Sequence, residues 1–260
     1  MLILLSPAKL MNFETGPDTP APTRPELMDR AATLSKTTRN LTRAKIKQMM
    51  GLSDDLAQLN YERFKAFDLD ANDGGKPALL TFNGEVYRGL DAKTLTAKDM
   101  DWAQTRVRML SGLYGVLRPL DAIQPYRLEM GTKIKTRRGQ TLYDYWGSDI
   151  ADTLNGALDG QKDRTILNLA SNEYFKAVDR KALDANVIDV SFKEIKDGKA
   201  RSLFMFVKVA RGLMTRWVID NRIDDPARLK EFNIDGYTFD ADASTNSKLE
   251  FTRPQPAPKR

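Results

Sequence analysis

Lys9 follows Ser6-Pro7-Ala8 at the end of an apolar opening run, and Asn172 and Glu173 follow a second run, TILNLA. Between Leu110 and Lys133 the sequence LSGLYGVLRPLDAIQPYRLEMGTK sets Arg118, Tyr126, Arg127 and Glu129 among Gly112, Gly115, Pro119, Pro125 and Gly131. Glycine and proline punctuate this stretch, which suits a loop that presents groups more than one that fills a core. Arginine and lysine hold phosphate oxygens, and Lys9 with Glu173 would supply acid–base chemistry if burial shifted their pKa values. A local role remains open for each: Ser171 and Asn172 also suit a helix cap, and Lys9 an ordinary surface position.

Composition narrows the chemistry. The 260 residues contain no cysteine and no histidine. Thiolate catalysis, zinc–thiolate sites, iron–sulfur ligation and any Ser-His-Asp arrangement are therefore excluded. No P-loop and no G-x-G-x-x-G after a strand is present. Acidic pairs such as Asp54-Asp55 and Asp224-Asp225 read as helix caps, so no metal site and no cofactor is expected. These absences favour binding over enzymology.

The net charge is +6, and the cations are unevenly spread. Six bases (Arg30, Lys36, Arg39, Arg43, Lys45, Lys47) fall between Arg30 and Lys47 with no acid. Five more (Lys199, Arg201, Lys208, Arg211, Arg216) fall between Gly198 and Ile219, again with no acid. Clustering of this kind suits a polyanion, double-stranded DNA first of all. A plain basic surface is the alternative.

The elements that must position these groups alternate between strand and helix. LILL and TILNLA read as buried strands, with others at ALLTF, Val107–Leu110 and VIDVSFKE. Helical patterns cover about 26–47, 53–67, 97–105 and 203–219. In the last, Leu203, Phe206, Val207, Ala210, Leu213, Met214 and Trp217 form the apolar side and Lys208, Arg211 and Arg216 share a polar sector. Proline-rich 14–25 and the stretch 72–77 read as a loop and a turn, and KTRRGQ as a hairpin turn. The expected architecture is α/β: a single compact domain over residues 1–253, with a mixed central sheet flanked by helices and a helical insertion at about 26–67. Residues 254–260 read as a disordered tail. No apolar run approaches a spanning helix, and the short MLILL opening lacks the flanks of a secretory signal. A cytoplasmic monomer without membrane contact is expected.

Met49-Met50-Gly51-Leu52-Ser53 joins two short helical patterns in the manner of a helix–hairpin–helix. Gly51 would allow the tight turn, and Ser53 would cap the second helix. Contacts of this type reach phosphates and ignore bases. Lys36, Arg39, Arg43, Lys45, Lys47, Gly51 and Ser53 are the DNA-binding candidates. Ser6, Lys9, Arg118, Tyr126, Arg127, Asn172, Glu173, Lys208 and Arg211 are the candidates for a cleft able to hold a small phosphorylated or nucleobase ligand. Tyr126, Tyr143, Tyr145 and Trp146 are either core or stacking platforms beside that cleft.

LLSPAK (Leu4–Lys9), FNGEVYRGLDA (Phe82–Ala92), the Leu110–Lys133 stretch and LYDYWG (Leu142–Gly147) occur in that order along the chain. NLASNEYFKAV (Asn168–Val178), FKE (Phe192–Glu194) and ARGLMTRWVI (Ala210–Ile219) follow them. Together they resemble the YaaA (DUF328, UPF0246) peroxide stress family over essentially the whole chain. One departure is Leu10, where threonine would follow SPAK. The resemblance implies a family-specific α/β fold with an embedded helix–hairpin–helix, a basic cleft and DNA binding without strong sequence preference. It also implies a role in oxidative stress tied to lower free iron and less Fenton damage. An enzyme acting on a nucleotide or nucleobase in the cleft is the alternative. The lack of histidine and cysteine speaks separately against an iron store or thiol peroxidase, leaving only carboxylate iron sites open.

Overall fold

Leu2, Ile3, Leu4 and Leu5 are each fully buried, as an apolar strand covered on both faces must be. In the computed structural model, which describes residues 1–14, 21–68 and 75–257, they form the central strand of the protein. Residues 15–20 of the 14–25 loop, residues 72–74 of the 72–77 turn and the last three tail residues lie outside the described residues.

The strands of the main sheet are β1 (Leu2–Leu5), β2 (Val107–Ser111), β3 (Gly115–Leu117) and β4 (Thr165–Asn168). They are joined by β5 (Asn186–Lys196), β6 (Lys199–Arg201), β7 (Thr238–Phe239) and β8 (Lys248–Pro254). Their order is β7-β8-β5-β4-β1-β2-β3, with β6 paired to β5. The β1–β2, β1–β4, β4–β5 and β5–β8 pairs are parallel. The β2–β3, β5–β6 and β7–β8 pairs are antiparallel, so the sheet is mixed as expected. One hydrophobic core joins this sheet to the helices, giving a single compact α/β domain.

Helices α1 (Met28–Arg39), α2 (Arg43–Met50) and α3 (Asp54–Ala66) occupy the expected insertion. The periodic stretch at 26–47 divides into two helices. Asn40 turns its side-chain amide back to the Lys36 carbonyl (2.9 Å), and Thr42 caps α2 by accepting from the Lys45 N–H at 3.2 Å. Asparagine and threonine compete in this way with helix continuation. The remaining principal helices are α4 (Glu85–Leu90), α5 (Ala97–Arg106), α6 (Leu142–Trp146), α7 (Asp149–Leu158) and α8 (Phe204–Asp220).

Two expectations need correction. ALLTF is a single helical turn at Ala78–Thr81 followed by a two-residue strand, Phe82–Asn83. The Thr81 hydroxyl donates to the Pro77 carbonyl (2.8 Å), closing a turn that the apolar run alone does not reveal. At the other end of the chain, β8 runs parallel to β5 and includes Pro254. Arg253 on β8 is buried, ion-paired with Glu194 at 3.4 Å and seated 4.3 Å from the Tyr237 ring centroid. Glu194 also accepts from the Tyr237 hydroxyl, so the FKE segment supplies a buried anchor for the final strand.

Helix α5 begins with a capping box in which Thr96 accepts from the Asp99 N–H and Asp99 accepts from the Thr96 N–H. Hydrogen bonds from Thr96, then from Arg222, hold the Asp99 carboxyl down at about 2. A depressed carboxyl stabilises above its unfolded value and loses that contribution as pH falls through its folded one. Asp99→Asn should therefore cost about 1 kcal/mol at neutral pH. The gap from the native protein should narrow between pH 3.8 and about 2, as urea titrations at stepped pH would read.

Candidate nucleic-acid interface

Parallel strands β1, β2 and β4 end at the same edge of the sheet, and their following residues meet there. The Ser171 N–H donates to Ser6 Oγ at 2.8 Å, which ties the end of β1 to the end of β4. The Ser6 carbonyl accepts from the Tyr87 hydroxyl on α4 at 2.9 Å. Ser6 is thus a fastener between elements. Ser171 stands at the N-cap position, but its side chain makes no capping bond.

Lys9 projects beyond this fastener and pairs with Glu129 at 2.8 Å. Arg127 pairs with the same carboxylate at 3.2 Å. Glu129 therefore bridges two cations, and Lys9 meets it in place of Glu173. The Glu173 carboxylate accepts from the Gly131 N–H (2.9 Å), and its backbone carbonyl accepts from the Tyr143 hydroxyl (3.0 Å). Asn172 is exposed at the start of the single turn Asn172–Phe175. Tyr174 is buried beneath these loops, and desolvation holds its phenol well above the usual range. Tyr126, 3% exposed, shares a 2.6 Å hydrogen bond with Ser111. It supports the floor and presents no face for stacking. Tyr145 and Trp146 are likewise buried, whereas Tyr143 is partly exposed with the Lys176 ammonium 5.1 Å from its ring centroid.

Helix α8 brings Lys208 and Arg211 to the same edge. Burial first, then Lys9 and Arg211, push the Lys208 ammonium below its ordinary value. The Arg211 guanidinium is pushed down by burial, and its Nε has no hydrogen-bond partner. Arg216 belongs elsewhere. It pairs with Asp220 at 2.8 Å and donates to the Asp91 carbonyl at 3.2 Å, so the polar sector of α8 is divided.

Arg118 does not join this group. It pairs with Asp121 (2.8 Å) and Glu26 (3.2 Å), and lines a different cavity with Met1 and Arg106. Topology explains the separation: antiparallel β3 carries the chain back across the sheet, so Arg118 emerges at the opposite edge.

The helix pair α2–α3 turns at Gly51, whose φ of 63° and ψ of 41° are left-handed. Ser53 caps α3 by accepting from the Leu56 N–H at 3.4 Å. An added Cβ at Gly51 would meet nothing within 4 Å, so Gly51→Ala tests dihedral strain alone. We expect a loss of about 1 kcal/mol in urea unfolding. Lys47 pairs across the turn with Asp54 at 2.6 Å, and this lysine lowers the carboxyl's pKa. Arg30 pairs with Asp149 at 3.2 Å. Exposed Lys36, Arg43 and Lys45, with half-buried Arg39, make no ion pair among the described residues.

Arg63, on α3, is the residue that sequence reasoning missed. Burial first, and then Arg127, lower its guanidinium pKa, so this residue of the insertion lies within electrostatic reach of Arg127. No periodicity marks such a long-range approach of like charges.

A profile for the peroxide stress protein YaaA matches residues 1–243. The chain belongs to the YaaA family. It is 61% identical over 258 residues to a UPF0246 protein of Maricaulis maris (strain MCS10), covering 99% of this chain and 97% of that one. A UPF0246 protein of Caulobacter vibrioides is 54% identical over 257 residues, covering 98% and 100%. One from Ruegeria pomeroyi is 49% identical over 255 residues, covering 98% and 99%. This YaaA family member carries an exposed Leu10 directly after Lys9. Among the described residues, no group of three or more acidic side chains is placed to hold a metal ion, and no helix is long and apolar enough to cross a membrane.

Proposed function

We propose that this peroxide stress family member binds double-stranded DNA without strong sequence preference, across one surface formed by the α1–α3 insertion and the strand-edge cleft. The observation that carries the reading is the approach of like charges in two places. Arg63 lies within electrostatic reach of Arg127, and Lys208 of Lys9 and Arg211; burial first, and then these neighbouring cations, lower the pKa of Arg63 and of Lys208. Such crowding is relieved by a polyanion that lays phosphates between the charges. Lys36, Arg39, Arg43 and Lys45 extend the same sign along α1 and α2 and make no ion pair among the described residues.

The hairpin's role differs from a phosphate grip by its turn amides. Asp54 and Asp55 occupy the first turn of α3, where an incoming phosphate would meet their charge. The attraction therefore rests on the side chains of α1 and α2, and Gly51 and Ser53 serve to fix the turn. In the peroxide-stress setting of the family, bound DNA is the molecule that Fenton chemistry would damage. The resemblance also implies a link to free iron, and DNA binding is the route by which we connect the two.

A nucleotide-processing enzyme is the second reading, favoured by the lowered Lys208 amine near Lys9 and by the buried Tyr174 phenol, which lines one small pocket with Lys9. The enclosed space between Pro7, Lys9, Tyr126, Arg127, Glu129 and Tyr174 is only about 10 Å³. That is one water's worth and too little for a nucleobase, so a backbone laid across the surface fits better. The test is competition between two duplexes of equal length and unrelated sequence. Affinities should agree within about threefold, since phosphate contacts do not read bases. A strong preference for one sequence, or turnover of a nucleotide, would replace the proposal.

A further inference from the structure

At the sheet edge opposite the cleft, the starts of β1, β2 and β4 surround a cavity of about 470 Å³. Its walls set Arg106, Arg108, Arg118 and Lys162 against the carboxylates of Glu26, Asp159, Asp163 and Asp224. This volume is in the range of small-molecule sites, and its lining is heavily charged.

Arg108 is the unusual member. It lies on β2 and is only 5% exposed. Its Nη1 donates to the Gln104 and Val107 carbonyls at 3.0 and 2.9 Å, but its Nε is buried with no partner. Among the described residues it makes no ion pair. A buried guanidinium with no carboxylate bonded to it is costly: desolvation opposes its charge first, Arg118 adds to that, and the more distant Glu26 and Asp121 carboxylates offset it only in part. Two neighbouring cations carry exposed carboxylates on the cavity side, although Arg118 also keeps its buried pair with Asp121 at 2.8 Å. Arg106 holds Asp224 at 2.8 Å, and Arg118 holds Glu26 at 3.2 Å. Both carboxylates are about two-fifths exposed, at 46% and 38%. Exposed pairs of this kind are weak and exchange readily for a better anion.

We propose that this cavity binds a phosphorylated small molecule of up to mononucleotide size, with Arg108 as its buried anchor and Arg106 and Arg118 closing on the phosphate from the walls. Arginine's planar fork suits a phosphate oxygen pair, and displacement of Asp224 and Glu26 toward solvent frees Nε and Nη2 of Arg106 and the Nη1 of Arg118, whose other donors stay on Asp121. The site is separate from the DNA surface, so either can fail without the other.

Trp102 provides the readout, since the Arg106 guanidinium lies 5.3 Å from its ring centroid. Titrate the full chain with AMP, inorganic phosphate and adenosine while following tryptophan fluorescence, and repeat by calorimetry. AMP and phosphate should saturate, and adenosine should not. Arg106→Gln and Arg108→Gln should each weaken AMP by about tenfold or more, the usual scale for a charge-assisted contact. Lys208→Glu, at the other edge, should leave AMP affinity unchanged. If Arg108→Gln does not fold, Arg106→Gln decides alone. Absence of saturation at millimolar AMP and phosphate overturns the proposal. So does binding that survives Arg106→Gln, or that is lost in Lys208→Glu.

Discussion

Gly212→Ala should lower the melting temperature by about 5–10 °C, with Gly89→Ala doing nearly as much. The two glycines sit where α8 crosses α4. A Cβ at Gly212 would fall 1.9 Å from the Val86 carbonyl oxygen and 2.7 Å from the Leu90 nitrogen. A Cβ at Gly89 would fall 2.3 Å from the Val209 carbonyl oxygen. These obstacles are backbone atoms, so no rotamer change relieves them and the helices must part. Separation would also disturb the cleft, because α8 carries Lys208 and Arg211 while α4 carries the Tyr87 hydroxyl that holds Ser6. Gly156→Ala on α7 is the matched control. Nothing lies within 4 Å of its added Cβ, so the change should be neutral or mildly stabilising. Thermal denaturation of the three variants separates close packing from glycine content.

The second large effect concerns DNA. Reversing Lys36, Arg43 and Lys45 together to Glu should weaken duplex binding by roughly 10²–10³-fold at about 0.1 M salt. The estimate takes each residue as one phosphate contact and each contact as about 0.9 of a log–log salt slope. The three side chains are exposed and make no ion pair among the described residues, so stability should change little. Lys47→Glu should be a poorer test, because Lys47 already neutralises Asp54 across the turn. Fluorescence anisotropy with a labelled duplex reads both variants.

Much of the scaffold is legible from residue pattern. LILL is an uninterrupted apolar run and TILN an apolar pair flanked by Thr165 and Asn168, and they are the fully covered strands β1 and β4. The period of Leu203–Ile219 gives α8 within a residue or two, and Thr96 with Asp99 marks the start of α5. The failures have local causes. ALLTF has a strand's composition, but Thr81 closes a turn on Pro77. The final strand carries buried Glu250 and Arg253, whose partners Lys193 and Glu194 come from β5, so its sequence looks too polar for a core. Within the cleft, Lys9 and Glu173 approach because their loops follow parallel strands β1 and β4, and Arg127 returns to that edge where Leu128 packs on Gly112 just past β2. Arg118 departs because β3 reverses the chain within the same glycine-rich stretch. Glu129 as a shared counter-ion and Arg63 as the link to the insertion depend on contacts that no spacing encodes.

The central claim is that insertion and cleft form one DNA surface, and the salt dependence of duplex affinity tests it most directly. It should be measured for the native chain, for the triple reversal on α1–α2, and for Lys208→Glu in the cleft. A steep native slope is expected, shallower by about 0.9 for each contact removed, in the cleft variant as well as in the insertion variant. A flat native slope, or a cleft variant that keeps the full slope and affinity, would contradict it.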